Sequence, residues 1–140
     1  MASLTPAEIE ALLDGAEVGV LATADARGCP EGTPIWFDWD GERIRVLVHR
    51  TSRKARNIRE NPNVCLTVDT RTAPYRGVVL RGTATLGGPD PGLRRRLAAR
   101  YLGEEVGLRY VESTKQLDQE DALVTIDVTG RFSWDYSKGL

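Results

Sequence analysis

Residues 49 to 59 run His49, Arg50, Thr51, Ser52, Arg53, Lys54, Ala55, Arg56, Asn57, Ile58, Arg59, with five arginine or lysine side chains, two hydroxyls and no acid. Arginine offers a planar fork to phosphate oxygens and lysine a compact point charge, and Thr51 or Ser52 can donate neutral hydrogen bonds beside them. The run sits where a strand pattern gives way to a helix pattern. Free backbone N–H groups and the helix dipole therefore add to the side-chain charge in favouring an anion, and a phosphate group fits. Spacing alone leaves a second reading open, a solvated basic helix face, because exposed helices often carry several arginines.

Nothing else in the chain announces a reaction. There is no P-loop, no Ser-His-Asp order and no paired-carboxylate signature, so no catalytic residue is assigned. His49 is the sole histidine, and with only Cys29 and Cys65, not spaced as CxxC, neither a zinc site nor a disulfide framework can be assembled. Cys65, within Val64-Cys65-Leu66, reads as core, and Cys29 beside Pro30 reads as a turn residue. Arg94, Arg95 and Arg96 point in different directions around a helix and, with Arg100, read as a solvated face rather than a second anion site. If a redox cofactor carries the chemistry, the protein needs only to orient it, dry its pocket and set its electrostatics.

These residues must be positioned by a short list of elements. Thr5-Pro6-Ala7-Glu8 is a capping-box pattern with proline at the first helical position, and Ile9, Leu12 and Leu13 follow at helical spacing. Strands are expected at Val18–Thr23, Thr33–Phe37, Ile44–Val48, Val64–Val68, Gly77–Leu86 and Ala122–Val128, with Asp40-Gly41 as a hairpin turn between the second and third. A helix of one or two turns begins after Ser52 and stops at Asn61-Pro62. Pro91 to about Leu117 reads as helix broken near Gly103, and Trp134 and Tyr136 read as an aromatic tail that anchors on an interface. Six mostly sequential strands with short connections imply an α+β protein built on a small antiparallel barrel.

Composition agrees with a single domain over residues 1–140: 41% hydrophobic, 28% charged and a formal net charge of -1. That balance argues against nucleic acid as a partner. The N-terminus lacks the basic start and apolar stretch of a secretory signal, and no apolar run approaches the roughly 20 residues needed to cross a bilayer, so a soluble, cytoplasmic protein without a membrane partner is expected.

The run Ser52-Arg53-Lys54-Ala55-Arg56-Asn57-Ile58, followed by Asn61-Pro62 and the strand Val64 to Val68, resembles the phosphate-binding signature of the pyridoxamine 5'-phosphate oxidase-like split-barrel family. Gly19 to Thr23, the Gly28 to Pro34 turn, Pro34 to Phe37, Val79 to Ala84 and Ser133 to Tyr136 match in the same order, so the resemblance covers nearly the whole chain. It implies a six-stranded antiparallel split β-barrel of the FMN-binding kind with short flanking helices. It also implies a homodimer with cofactor sites at the interface. The cofactor's phosphate would be held by Thr51, Ser52, Arg53, Lys54 and Asn57 with His49 beside them, and its ring would lie against Pro34, Ile35, Trp36 and Phe37. By its own spacing Trp39 reads as edge or interface packing, with plain core the equal alternative.

The chain ends without the arginine- and histidine-bearing substrate motif of the pyridoxamine-phosphate oxidases themselves. Its compact form is most similar to the branch that uses the deazaflavin coenzyme F420, whose acidic polyglutamate tail would suit the basic surroundings. The resemblance thus implies an oxidoreductase that moves hydride from reduced coenzyme F420 to an unsaturated or quinone-like small molecule. FMN is the alternative cofactor, and a non-catalytic flavin-binding protein the alternative function.

Overall fold

The computed structural model describes residues 2–139. Helix α1 (Pro6–Asp14) starts as the sequence predicts: Thr5 Oγ1 accepts the Glu8 N–H at 3.2 Å, and Glu8 Oε1 accepts the Thr5 N–H at 2.8 Å. Its Ile9, Leu12 and Leu13 are buried, and Lys138 from the other end of the chain donates to the Glu8 carboxylate.

The strands are β1 (Gly19–Ala24), β2 (Pro30–Ile35), β3 (Asp38–Trp39), β4 (Arg43–His49), β5 (Asn63–Asp69), β6 (Arg76–Gly87) and β7 (Asp121–Asp135). They form one antiparallel sheet in the order β2-β1-β5-β6-β7-β4-β3, curled as a split barrel. There are seven strands rather than the six expected. The Asp40-Gly41 hairpin is present, with Asp40 Oδ1 accepting the N–H groups of Glu42 at 2.9 Å and Arg43 at 2.7 Å and Gly41 at φ 93°. Its first arm, however, is the separate two-residue strand β3. The expected strand Thr33–Phe37 ends at Ile35, because β2 and β3 lie at opposite edges of the sheet and Trp36-Phe37 must carry the chain between them.

The last strand also departs from expectation. Ser133 and Trp134 are not a loose tail but the end of β7, which pairs with β6 from Gly87↔Leu123 to Arg76↔Asp135 with one irregularity at Arg81/Gly82. Alternation supplies the core: one face of β1, β4, β5, β6 and β7 contributes Leu21, Val46, Leu66, Leu80 and Val124, each 0% exposed. Cys65 stands on the opposite face and is half-buried, so it is not the core residue its apolar neighbours suggested, while Cys29 is exposed at the turn as expected. Trp39 stands on the edge strand β3, as one reading expected, with its side chain packed into the core as the other did and its indole N–H donating to Glu10 at 2.7 Å.

Helix α2 (Arg53–Glu60) follows β4, and α3 (Pro91–Leu102), α4 (Glu104–Ser113) and α5 (Leu117–Glu120) connect β6 to β7. The predicted break at Gly103 is real: this residue sits at φ 85°, in the left-handed region that glycine tolerates, and α4 folds back on α3. The return is tight. A Cβ at Gly107 would lie 2.8 Å from the Ala98 carbonyl group.

Two surface carboxylates set an acid limit on this fold. Hydrogen bonding to Lys138, then to Thr5, holds Glu8 down to about 2, and hydrogen bonds from the Arg43 backbone and the Arg45 side chain hold Asp40 down to about 2. Both bind protons more weakly folded than unfolded. Their stabilisation is therefore complete above the unfolded carboxylate range and is lost as the pH falls from about 4.5 toward 2. Thermal unfolding across that window should show the wild type losing stability faster than the Glu8→Gln/Asp40→Asn double variant.

Candidate functional site

The basic segment folds into the start of α2. Ser52 caps it, accepting the Ala55 N–H on Oγ at 3.2 Å, and the N–H groups of Arg53 and Lys54 have no partner among the described residues. Ala55 and Ile58 pack into the core, and the buried Asn57 donates its amide to Thr23 Oγ1 at 3.0 Å, which fixes the helix against β1. The cap and the Lys54 side chain therefore open onto a cleft on a rigid support.

That cleft has a volume of about 420 Å³, within the range of small-molecule sites, about 300–1,000 Å³. Pro34, Ile35 and Trp36 at the end of β2 form one wall, and His49, Ser52 and Lys54 lie at the end of β4 and the start of α2. Leu97 and Arg94 of α3, Tyr110 of α4 and Asp121 of β7 close it from the helical side. Trp36 is held by aromatic contacts: it stacks on Tyr101 with centroids 5.3 Å apart and planes 5° from parallel, and meets Tyr110 edge-on at 5.6 Å and 62°. Tyr101 is itself pinned, its hydroxyl donating to the Glu17 carbonyl at 3.0 Å and accepting the Phe37 N–H at 3.3 Å, and burial pushes its pKa up.

Six of the ten predicted residues thus meet at one cleft: Pro34, Ile35, Trp36, His49, Ser52 and Lys54. The other four stand elsewhere. Phe37 is 0% exposed, with its ring in the core 5.1 Å from the Arg100 guanidinium, because the turn that puts Trp36 outward puts Phe37 inward. Asn57 is committed to Thr23. Arg53 points away, 73% exposed and 3.5 Å from Glu31, and Thr51 is exposed, with its N–H at 3.2 Å and its hydroxyl at 2.8 Å from His49 Nδ1.

His49 has no free nitrogen. Since Nδ1 accepts the Thr51 N–H, the neutral ring carries its proton on Nε2, which donates to Glu120 Oε2 at 2.8 Å. Arg94 was expected on a solvated face and is instead 4% exposed, donating to Asp118 at 2.8 Å, Thr114 at 2.9 Å and the Val111 carbonyl at 2.8 Å. Arg100 is similarly engaged, donating to the Leu13 carbonyl at 2.7 Å. Sequence reasoning missed Arg94, Tyr110 and Asp121 as cleft residues. No local pattern marks them, since the return of α4 and α5 is what brings them there.

Among the described residues no helix is long and apolar enough to cross a membrane, and no group of three or more His, Cys, Asp or Glu side chains is placed to hold a metal ion.

The chain is similar to several solved structures. An F420 reductase shares 28% identity, with a TM-score of 0.71, over 88% of this chain and 94% of that one. A conserved hypothetical protein from Mycobacterium tuberculosis shares 27% identity, with a TM-score of 0.78, over 98% of this chain and 89% of the other. The haem storage protein HutZ of Vibrio cholerae, at 24% identity and a TM-score of 0.67 over 94% of each chain, has the same fold. No curated protein matches the chain. The family model for pyridoxamine 5'-phosphate oxidase matches residues 5–135, nearly the whole length, and the chain belongs to that family.

Proposed function

We propose that this protein is a deazaflavin-dependent oxidoreductase, which moves hydride from reduced coenzyme F420 to an unsaturated or quinone-like small molecule. The observation that carries the reading is the pairing, in one cleft, of an anion cradle with a flat wall. The cradle is Ser52, Lys54 and the free N–H groups at the start of α2; the wall is Pro34, Ile35 and Trp36. This donor set fits a ligand that carries a phosphate and an aromatic ring. Similarity to an F420 reductase supports the choice of the deazaflavin over FMN, as does the surplus of cations on and just before α2, with Arg50, Arg56 and Arg59 all exposed outside the cleft.

When bound, such a cofactor supplies the hydride. The chain's own residues hold and shelter it. Lys54 and Ser52 would neutralise and hydrogen-bond the phosphate, the Trp36-Tyr101 stack keeps the wall flat, and Leu97 and Val18 offer the ring apolar surface. His49 offers no free nitrogen to a haem iron, because both ring nitrogens already have partners.

A homodimer belongs to the same proposal. None of the six residues of the edge strand β2 is buried in the single chain, and a row of cross-strand neighbours, Pro34, Val20, Thr67, Val79 and Phe132, crosses the sheet face away from the core, with Phe132 53% exposed. A second copy packed on that face would cover it and give the edge strand a partner. Light scattering should give twice the chain mass. The same preparation, mixed with reduced coenzyme F420 and a panel of enones and quinones, should oxidise it with at least one acceptor; tight binding without turnover on any acceptor would favour a cofactor carrier.

A further inference from the structure

We propose that Asp121 is the catalytic acid of this cleft, the group that protonates a conjugated carbonyl compound as it is reduced there. The proposal rests on the cofactor reading above. Asp121 opens β7 directly opposite His49 of β4, and it lines the cleft together with Lys54, Trp36 and Tyr110. Like Lys54 and Tyr110, it has no side-chain partner among the described residues, and it is the one carboxyl that lines the cleft. His49 has both nitrogens engaged, Arg94 is spent on Asp118, Thr114 and Val111, and Ser52 caps α2. The Asp121 carboxyl makes no hydrogen bond or ion pair with any described residue.

Hydride from the reduced deazaflavin forms a C–H bond at the β-carbon of an enone or the ring of a quinone, and the displaced π pair moves onto the conjugated carbonyl oxygen. The O–H bond of the Asp121 carboxylic acid breaks, its proton passes to that enolate, and the bonding pair stays on the carboxylate, which regains a proton from solvent. The acid must therefore hold its proton better than an exposed aspartate does. Burial pushes the Asp121 carboxyl up, and Glu120 and Asp118 on α5 push the same way. Arg94 of α3 and His49 of β4 oppose them in part, and Lys54 and Tyr110 are the remaining ionisable groups on the cleft. Leu47, Leu97 and Val18 line the same cleft and lessen the hydration of the carboxyl.

Asp121→Asn keeps the shape and removes the proton, so three measurements decide the matter. Titration of the apo-protein with oxidised coenzyme F420 and with FMN should show binding no weaker than wild type, since the substitution removes a negative charge from a cleft that takes an anion. Because the folded state binds this proton more tightly than the unfolded state, the charged form costs stability at neutral pH, and that cost vanishes in acid. The variant should therefore melt above wild type at pH 7, with the gap closing as the pH falls through the carboxylate range. Single-turnover oxidation of the reduced cofactor by 2-cyclohexenone or menadione should slow by about 100-fold or more, with Asp121→Glu recovering part of the rate. An unchanged rate in Asp121→Asn, with wild type binding and turning over, overturns the proposal alone; failure of wild type to bind either cofactor overturns the cofactor reading and the proposal with it.

Discussion

Arg94→Met is expected to destabilise the protein by about 3–5 kcal/mol, the usual cost of removing one partner from a buried ionic network. The guanidinium is surrounded: it donates to a carboxylate, a hydroxyl and a backbone carbonyl, and its side chain is 5% exposed. Methionine fills much of the volume but leaves Asp118, Thr114 and the Val111 carbonyl without their donor. The damage is directional, because Thr114 also donates to the Tyr110 carbonyl at 2.7 Å, so the network ties the end of α4 to both α3 and α5. The melting temperature should fall by on the order of 10 °C, read by thermal and denaturant unfolding. Adding Asp118→Leu should recover part of the loss, since it removes the stranded charge. A loss below about 1 kcal/mol would mean that water replaces the arginine at little cost.

Lys54→Ala is expected to weaken binding of a phosphate-bearing flavin or deazaflavin tenfold or more while leaving the melting temperature close to wild type. A charge-assisted hydrogen bond is worth about 1.5–3 kcal/mol, and Lys54 lines the cleft without making an ion pair among the described residues. Arg53 supplies the contrast. It sits one residue earlier, yet it is solvent-facing and pairs with Glu31 of β2, so Arg53→Ala should cost less than Lys54→Ala. Fluorescence titration of the two variants gives the order. If both bind as wild type does, the basic segment is a solvated helix face.

How much of this was legible in the sequence depends on how local each feature is. The Thr5 cap, the Asp40-Gly41 turn, the Gly103 break and the start of α2 are written in adjacent residues, and each stands where the sequence reading put it. The split between β2 and β3 is not local. Pro34 to Trp39 has one composition throughout, and only the placement of its two ends on opposite sheet edges forces the crossing that turns Trp36 outward and buries Phe37. Arg94 follows the same logic: on a bare helix it reads as solvated, and it becomes a buried anchor only because α4 and α5 return over it. Asp121 is the last of three acids in four residues, and no spacing rule singles it out from Asp118 and Glu120. The basic segment at the cleft was legible because it is one continuous stretch, and the helical side of the cleft was not, because it is assembled from three elements, α3, α4 and β7.

The cofactor itself is the central claim. Coenzyme F420 and FMN both carry a tricyclic ring and a phosphate, and F420 continues from its phosphate into a lactyl-polyglutamate chain. Arg50 before α2 and Arg56 and Arg59 along it are exposed outside the cleft, exceed what one phosphate requires and would meet that chain in open solvent, where salt screens charge over about 10 Å at 0.1 M. Apo-protein titrated with each cofactor at low and high salt should bind F420 more tightly than FMN, with the preference shrinking as salt rises. Tighter binding of FMN, or protein purified yellow with stoichiometric FMN, would contradict the deazaflavin assignment.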